Sequence, residues 1–288
     1  MKLVMLLLVR DEVDIISQNM QFHLDHGVDA IVAIDNGSTD GTRDVLQDFA
    51  RSGVATVIDE PGRDYQQSEW VTRAALHARD AMGADWIFSN DADEFWTTPE
   101  GDLKAPLARA QADIQVCRRM NMIYPWDTPD DTPWLDRLIY RSITPPSVPT
   151  MKDFYTATLP APYFCLALQP KVLMRAKGLQ KISQGNHAAA YEHPAEQENL
   201  PVAIFHFPVR TREQLEKKIV QGGQAYGANT KLAPEMGWHW RRWYRMYQEQ
   251  GIEPVLDDAL PSKAKLNTEL ETGRCMRDDR FQKLIRGH

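Results

Sequence analysis

Asp85-Trp86-Ile87-Phe88-Ser89 runs directly into Asn90-Asp91-Ala92-Asp93-Glu94. A short apolar run of this length reads as a buried strand, and it breaks at once into three carboxylates within four residues. Two unit charges ~4 Å apart near a protein surface repel by ~4 kcal/mol. A chain tolerates that where water screens the charges or where a cation neutralises them. A hard divalent ion with oxygen ligands is the natural partner, and Mg²⁺ or Mn²⁺ keeps substrate phosphates in its shell. The plain alternative is a solvated acidic loop.

Upstream, strands and helices alternate. Leu3 to Val9 is continuously apolar, as expected of a parallel strand covered on both faces. From Val13 to Leu24 the apolar residues Val13, Ile16, Met20 and Leu24 recur at helical spacing, and Gly27 supplies a stop. Ala30 to Ile34 predicts a second strand, ending at Asp35. The turn Asp35-Asn36-Gly37-Ser38-Thr39-Asp40-Gly41-Thr42 leads into a helix bearing Val45, Leu46 and Phe49. Val54 to Ile58 predicts a third strand and Gln66 to Met82 a helix. The spacing implies right-handed βαβ units and a mostly parallel α/β sheet flanked by helices. In such a sheet ligands bind outside the carboxyl ends of the strands, so topology brings Asp35 and the Asp91–Glu94 cluster to one rim.

Downstream the rhythm loosens. Ile114 to Cys117, Phe164 to Leu168, Val172 to Ala176 and Ala203 to Phe205 predict strands. The segment from Tyr124 to Pro162, with eight prolines, predicts long loops, and from Thr211 the chain turns helical and charged. The expected organisation is a Rossmann-like catalytic domain over 1–209, with a nucleotide-binding half over about 1–96 and an acceptor half over 97–209. A helical C-terminal extension covers 210–288. Lone cationic side chains (Arg10, Lys171, Arg175, Lys181) are candidates for a leaving diphosphate, against the plain reading of solvated surface charge. The aromatic block Trp238 to Tyr244 reads as helix packing, with a role in holding the acceptor as the alternative.

The run Val9-Arg10-Asp11-Glu12, then His23 and Gly27-Val28-Asp29, then Ile34 to Thr42, resembles the opening of bacterial family 2-like glycosyltransferases. Asn90-Asp91-Ala92-Asp93-Glu94-Phe95 resembles the DxD-Glu-Phe signature of the same enzymes. The branch resembled opens on Lys/Arg-Asn-Glu, and Asp11 stands here where that branch has Asn. The resemblance covers residues 3 to 96 well and continues loosely to His206. It implies a GT-A fold, a nucleotide-diphosphate sugar donor with UDP favoured, Mn²⁺ or Mg²⁺ as cofactor, and inversion at the anomeric carbon. Carried over by position, Arg10, Glu12, Asp35, Asn36 and Asp91 line the donor site. Asp93 is the direct metal ligand, with Asp91 in the metal shell and His206 a further ligand; His187 is the alternative to His206. Inversion calls for a general base about a hundred residues after the DxD. Glu192 is the first choice, since flanking Tyr191 and His193 would desolvate it and raise its pKa; His187 and Asp153 are the others.

Other classes remain in view. A haloacid-dehalogenase-like phosphatase also carries Asp-x-Asp after a strand, but on its first strand and followed by Thr or Val. A metal-dependent nucleotidyltransferase needs a glycine-rich basic loop, and Leu3 to Glu12 contains no glycine. A non-catalytic nucleotide-sugar-binding protein is the third. The net charge of −7 argues against a nucleic-acid polymer as partner. The acceptor is expected to be a glycan or another small molecule. Three widely spaced cysteines point to a cytoplasmic, reduced protein. The apolar start is too short for a signal peptide, and no stretch reaches the ~20 apolar residues of a membrane span, which leaves room for peripheral membrane association.

Overall fold

The computed structural model describes residues 1–62, 66–129, 131–149, 153–228 and 237–287. In chain order the elements begin β1 (Leu3–Val9), α1 (Ile16–Asp25), β2 (Ala30–Asp35), α2 (Thr42–Arg51), β3 (Ala55–Asp59) and α3 (Gln67–Asp80). Next come β4 (Trp86–Asn90), β5 (Glu94–Thr97), α4 (Lys104–Leu107) and β6 (Ile114–Asn121). After these stand α5 (Trp134–Arg137), β7 (Tyr140–Ser142), β8 (Lys171–Arg175), β9 (Leu179–Ile182), β10 (Ala189–Tyr191) and β11 (Gln197–His206). The chain closes with α6 (Arg212–Ala228), α7 (Trp238–Gln250), α8 (Ile252–Ala259), α9 (Lys263–Glu271), β12 (Cys275–Arg277) and α10 (Arg280–Arg286). The contacts form two compact units, residues 1–119 with 169–206, and 120–168 with 207–288.

The first unit is built on a sheet of order β3-β2-β1-β4-β8-β6-β11-β5. Its first four strands are mutually parallel, as the apolar runs predict. The order reverses between β1 and β4, and that is where a doubly wound sheet opens a ligand crevice at its carboxyl edge. From β8 onward the pairing changes: β4 with β8, β8 with β6, and β11 with β5 are antiparallel. One face of the parallel half is sealed by α3. Val4, Leu6, Val32 and Ile34 pack against Trp70, Val71, Ala74, Ala75 and Ala78. These helix residues recur at three- and four-residue spacing, and the alanines let the helix lie close to the sheet. Leu3, Met5 and Leu7 point the other way and are equally buried, which explains why β1 carries no polar alternation. Each such side chain stabilises the fold by roughly 1.5–3 kcal/mol.

In the second unit α6 and α7 pack closely. Gly222 and Gly223 face Trp240 and Tyr244, and a methyl group at Gly223 would overlap the Tyr244 side chain. Arg242 makes a two-pronged pair with Asp258 at 3.0 and 2.8 Å and donates to the Phe154 carbonyl. Trp243 is fully buried and donates to the same Asp258 at 2.8 Å. The Trp238–Tyr244 block therefore builds the helix interface.

One predicted strand is not there. Residues Tyr163–Cys165 form a turn of 3₁₀-helix. Pro162, with φ −51°, starts the turn and its carbonyl accepts the Cys165 N–H at 2.8 Å. Pro170 closes the segment on the other side, so the apolar run cannot extend into a sheet ladder. Within the stretch expected as loops, β7 pairs antiparallel with β12.

Candidate functional site

The carboxyl ends of β1, β2 and β4 carry Arg10, Asp35 and the Asp91–Glu94 turn. The loop after β1 is stitched to the loop after β2. Asp11, at φ +54°, accepts the Thr39 N–H at 2.7 Å, its own N–H donates to Ser38 Oγ at 3.1 Å, and the Glu12 N–H donates to Thr42 Oγ1 at 2.8 Å. An aspartate tolerates this left-handed backbone because its short side chain bonds locally. The Arg10 side chain is exposed, 3.9 Å from Asp11.

Asp35 is buried at the end of β2. It accepts the Ser38 N–H at 3.0 Å and faces Arg43 at 3.2 Å; Arg43 also pairs with Asp59, its neighbour in register on β3. Asn36 donates both amide protons to backbone, to Glu60 O at 2.9 Å and Gly62 O at 2.7 Å. The pair thus shapes a rigid wall on the β2–β3 side of the rim.

The acidic turn is braced from α1. Buried Asn19 donates to the carbonyls of Ala92 (2.9 Å) and Glu94 (2.7 Å) and accepts from Asn90 Nδ2 at 2.9 Å. Trp96 Nε1 donates to Asn90 Oδ1 at 2.9 Å, and the Trp96 N–H donates to His23 Nε2 at 3.1 Å. The other His23 nitrogen, Nδ1, therefore carries the proton and donates to the Asn19 carbonyl at 2.8 Å. Complete burial drives the His23 pKa down to about 3, so this imidazole is a neutral strut.

The three carboxylates of the turn meet different partners. Lys171, the first residue of β8 and 1% exposed, bridges two of them, at 2.5 Å to Asp91 Oδ2 and 2.7 Å to Glu94 Oε2. Arg119 holds the other Glu94 oxygen at 3.0 Å. Burial opposes the charge on both Asp91 and Lys171. Their mutual attraction outweighs it, so the Asp91 pKa lies below the usual carboxylate value and that of Lys171 above the usual amine value. Asp93 faces His206 instead, Oδ1 to Nε2 3.5 Å. His206 ends β11 and stands opposite Glu94 in the antiparallel ladder with β5.

A divalent cation fits between Asp93 and His206. Adjacent ligands of an octahedral ion at ~2.1 Å stand roughly 3 Å apart, close to the separation found. Among the described residues no group of three or more His, Cys, Asp or Glu side chains is arranged to hold a metal ion. Substrate phosphate and water are ligands that Mg²⁺-type sites usually recruit beside such a pair.

Of the general-base candidates, His187 lies at this rim. Its Nδ1–H donates to the Pro170 carbonyl at 2.8 Å, next to Lys171, which leaves the Nε2 lone pair available. Burial, aided by the Arg119 and Lys171 charges, lowers its pKa. The ring lines a cleft of about 360 Å³ with Val172, Gln197 and Asn199.

Glu192 is not brought here. Its N–H bonds the Gly178 carbonyl, while the Ala176 N–H bonds the carbonyl of Asp85, just before β4 begins. Glu192 thus sits at the amino edge of the sheet, and β4 rises ~3.3 Å per residue from that edge to Asp91. It is also exposed. Tyr191 turns its hydroxyl to the Arg175 and Asp113 carbonyls, and His193 approaches Asp113, so neither desolvates it. Asp153, in the second unit, caps its own turn by accepting from Tyr155 N (2.8 Å) and Thr156 Oγ1 (2.6 Å). Those bonds, Thr156 first, lower its pKa. Two cations proposed for the diphosphate are otherwise engaged: Lys171 in the acidic turn, and Arg175 over the Trp86 ring at 4.4 Å, 3.8 Å from Asp113. The roles of Lys171, Arg119, Asn19 and Asn90 have no local signature in the sequence.

Residues 14–141 match the model of glycosyl transferase family 2. Over that stretch the chain is similar to the family 2 glycosyltransferases. None of the curated proteins compared with it by sequence matches. Among solved structures it is similar to S. aureus TarS 1-349, crystallised also with UDP and UDP-GlcNAc, at 10% identity and TM-score 0.42, covering 88% of this chain and 74% of that one. It is also similar to glucosyl-3-phosphoglycerate synthase from Mycobacterium tuberculosis, crystallised with Mn²⁺, UDP and phosphoglyceric acid. The identity there is 21% and the TM-score 0.29, over 42% of this chain and 43% of that one. Among the described residues, no helix is long and apolar enough to cross a membrane.

Proposed function

We propose that this protein transfers a sugar from a nucleotide-diphosphate donor to a hydroxyl of a saccharide or other small acceptor, with inversion and with a divalent cation. The observation that carries this reading is the Asp93–His206 pair beside Asp91. It stands at the carboxyl edge where the strand order reverses, in a chain matching family 2 over residues 14–141. Asp93 and His206 would hold Mn²⁺ or Mg²⁺, which supplies charge stabilisation to the departing diphosphate. Arg10, exposed at the end of β1, adds positive charge on the same rim. Asp35 and Asn36 form the wall against which the nucleoside rests, and Asp91 offers its outward oxygen to a donor hydroxyl. His187 Nε2 takes the proton of the acceptor hydroxyl as that oxygen attacks the anomeric carbon. These groups all lie within the first compact unit, residues 1–119 with 169–206. Three buried thiols, none in a disulfide, suit a reducing cytoplasm.

The test is transfer and slow donor hydrolysis with purified protein, a panel of UDP-sugars first, and Mn²⁺. Turnover that vanishes in EDTA and returns with Mn²⁺ supports the reading. Undiminished turnover in EDTA removes the cation from it, and absence of both turnover and nucleotide-sugar binding removes the reading altogether.

A further inference from the structure

Lys171 is an expensive residue to bury. At 1% exposure its ammonium has given up water, a cost met only by close opposite charges. It has two, Asp91 Oδ2 at 2.5 Å and Glu94 Oε2 at 2.7 Å. Glu94 is itself fully buried and fixed from the other side by Arg119 at 3.0 Å. The ammonium is therefore clamped from within the protein, and its outward contact is Asp91, whose side chain is still 38% exposed. One Asp91 oxygen is tied inward and the other is open to the rim. Asp93, two residues on, has no contact with Lys171 among those seen and turns to His206 at 3.5 Å.

We propose that Lys171 is a positioning residue that divides the work of the two aspartates. By holding Asp91 Oδ2 it keeps Asp91 out of the cation's ligand set and aims the other oxygen at the donor. It leaves the cation to Asp93 and His206. With Asp91 withheld and a fixed ammonium close by, the site binds a divalent ion more weakly than with both aspartates, until a diphosphate contributes its oxygens. The cation and the donor therefore enter together. The inference rests on the proposed function and adds an order of binding to it.

The experiment measures free Mn²⁺ by electron paramagnetic resonance, with and without UDP. Lys171→Met alone would strand buried Glu94, so the main variant is Lys171→Met with Glu94→Gln, which removes one charge of each sign. Its fold is checked by circular dichroism and thermal midpoint. Wild type should bind Mn²⁺ weakly alone and much more tightly with UDP. The double variant, with Asp91 released, should bind Mn²⁺ alone about tenfold or more tighter, and UDP should add correspondingly less. Adding Asp91→Asn should return Mn²⁺ binding to the wild-type level, and Lys171→Arg should retain weak binding. A folded double variant with wild-type Mn²⁺ affinity overturns the proposal while leaving the proposed function standing. Wild type that binds no Mn²⁺ even with UDP overturns the proposal and removes the cation from the proposed function.

Discussion

The rim of the parallel sheet has two sides built on different principles. On the β1–β2 side, Asp11, Asp35 and Asn36 are held mainly by backbone, through N–H groups of Ser38 and Thr39 and carbonyls of Glu60 and Gly62, with Arg43 also facing Asp35. On the β4 side, Asp91 and Glu94 are held by buried charges from distant strands, Lys171 and Arg119. A wall made of backbone hydrogen bonds is fixed when the loops fold and changes little on binding. A cluster made of charge is sensitive to any added or lost ion, since low local dielectric magnifies each term. The first arrangement suits recognition of a neutral nucleoside, the second suits a reaction that gathers negative charge.

That contrast is broken most directly at Asp93. Asp93→Ala should reduce transfer on the order of 10³-fold, as for loss of a principal electrostatic group, with the thermal midpoint held or raised because a repelling carboxylate is gone. Transfer within a few-fold of wild type would mean that the charged side of the rim does not hold the cation.

His187→Gln keeps a polar side chain and removes basicity. Transfer should fall ~10²-fold or more with UDP binding unchanged. Because burial lowers the His187 pKa, its basic form survives below the ordinary histidine value of ~6.5. The acid limb of wild-type kcat/KM should therefore fall below that pH. A limb above it, or normal transfer by the variant, would take the proton elsewhere.

On the backbone-built side the effect should be smaller and of another kind. Asp35→Ala should raise the donor KM about tenfold with kcat nearly kept, the mark of lost ground-state binding. A collapse of kcat at constant KM would show that the two sides are not separate in function.

Most of the rim was legible in the sequence because it is local. Apolar runs announce β1, β2 and β4, and parallel topology sends their carboxyl ends to one edge. Lys171 was visible only as a stray cation: its partners lie eighty residues earlier in the chain, and no spacing encodes an ion pair between strands. Glu192 stands away from the rim for a related reason. Counting along the chain ignores direction: the chain passes the rim at His187, and β10, antiparallel to β9, has carried it back to the amino edge by Glu192. The Phe164–Leu168 run was apolar enough for a strand, but its bracketing prolines decide the backbone.

The smallest effect at neutral pH concerns the strut beneath the acidic turn. His23 receives the Trp96 N–H and donates to Asn19, whose amide holds the turn's backbone. Its pKa is about 3 in the folded protein and near 6.5 when unfolded. Between those values the unfolded chain takes up a proton and the folded chain does not. Stability from this group is therefore complete above pH ~6.5 and falls by about 1.4 kcal/mol per pH unit on acidification. Carboxylates add to the acid loss in any protein, so the comparison must be with a variant. His23→Gln can donate and accept at the same two places but cannot take a proton. At pH 7.5 it should cost only the usual ~1 kcal/mol or so of an imperfectly refilled core site. Between pH 6.5 and 4.5 denaturant melts should show wild type losing stability faster than the variant by close to the slope above. Parallel curves would mean that His23 is protonated in the folded state, and the neutral strut under the acidic turn would have to be abandoned.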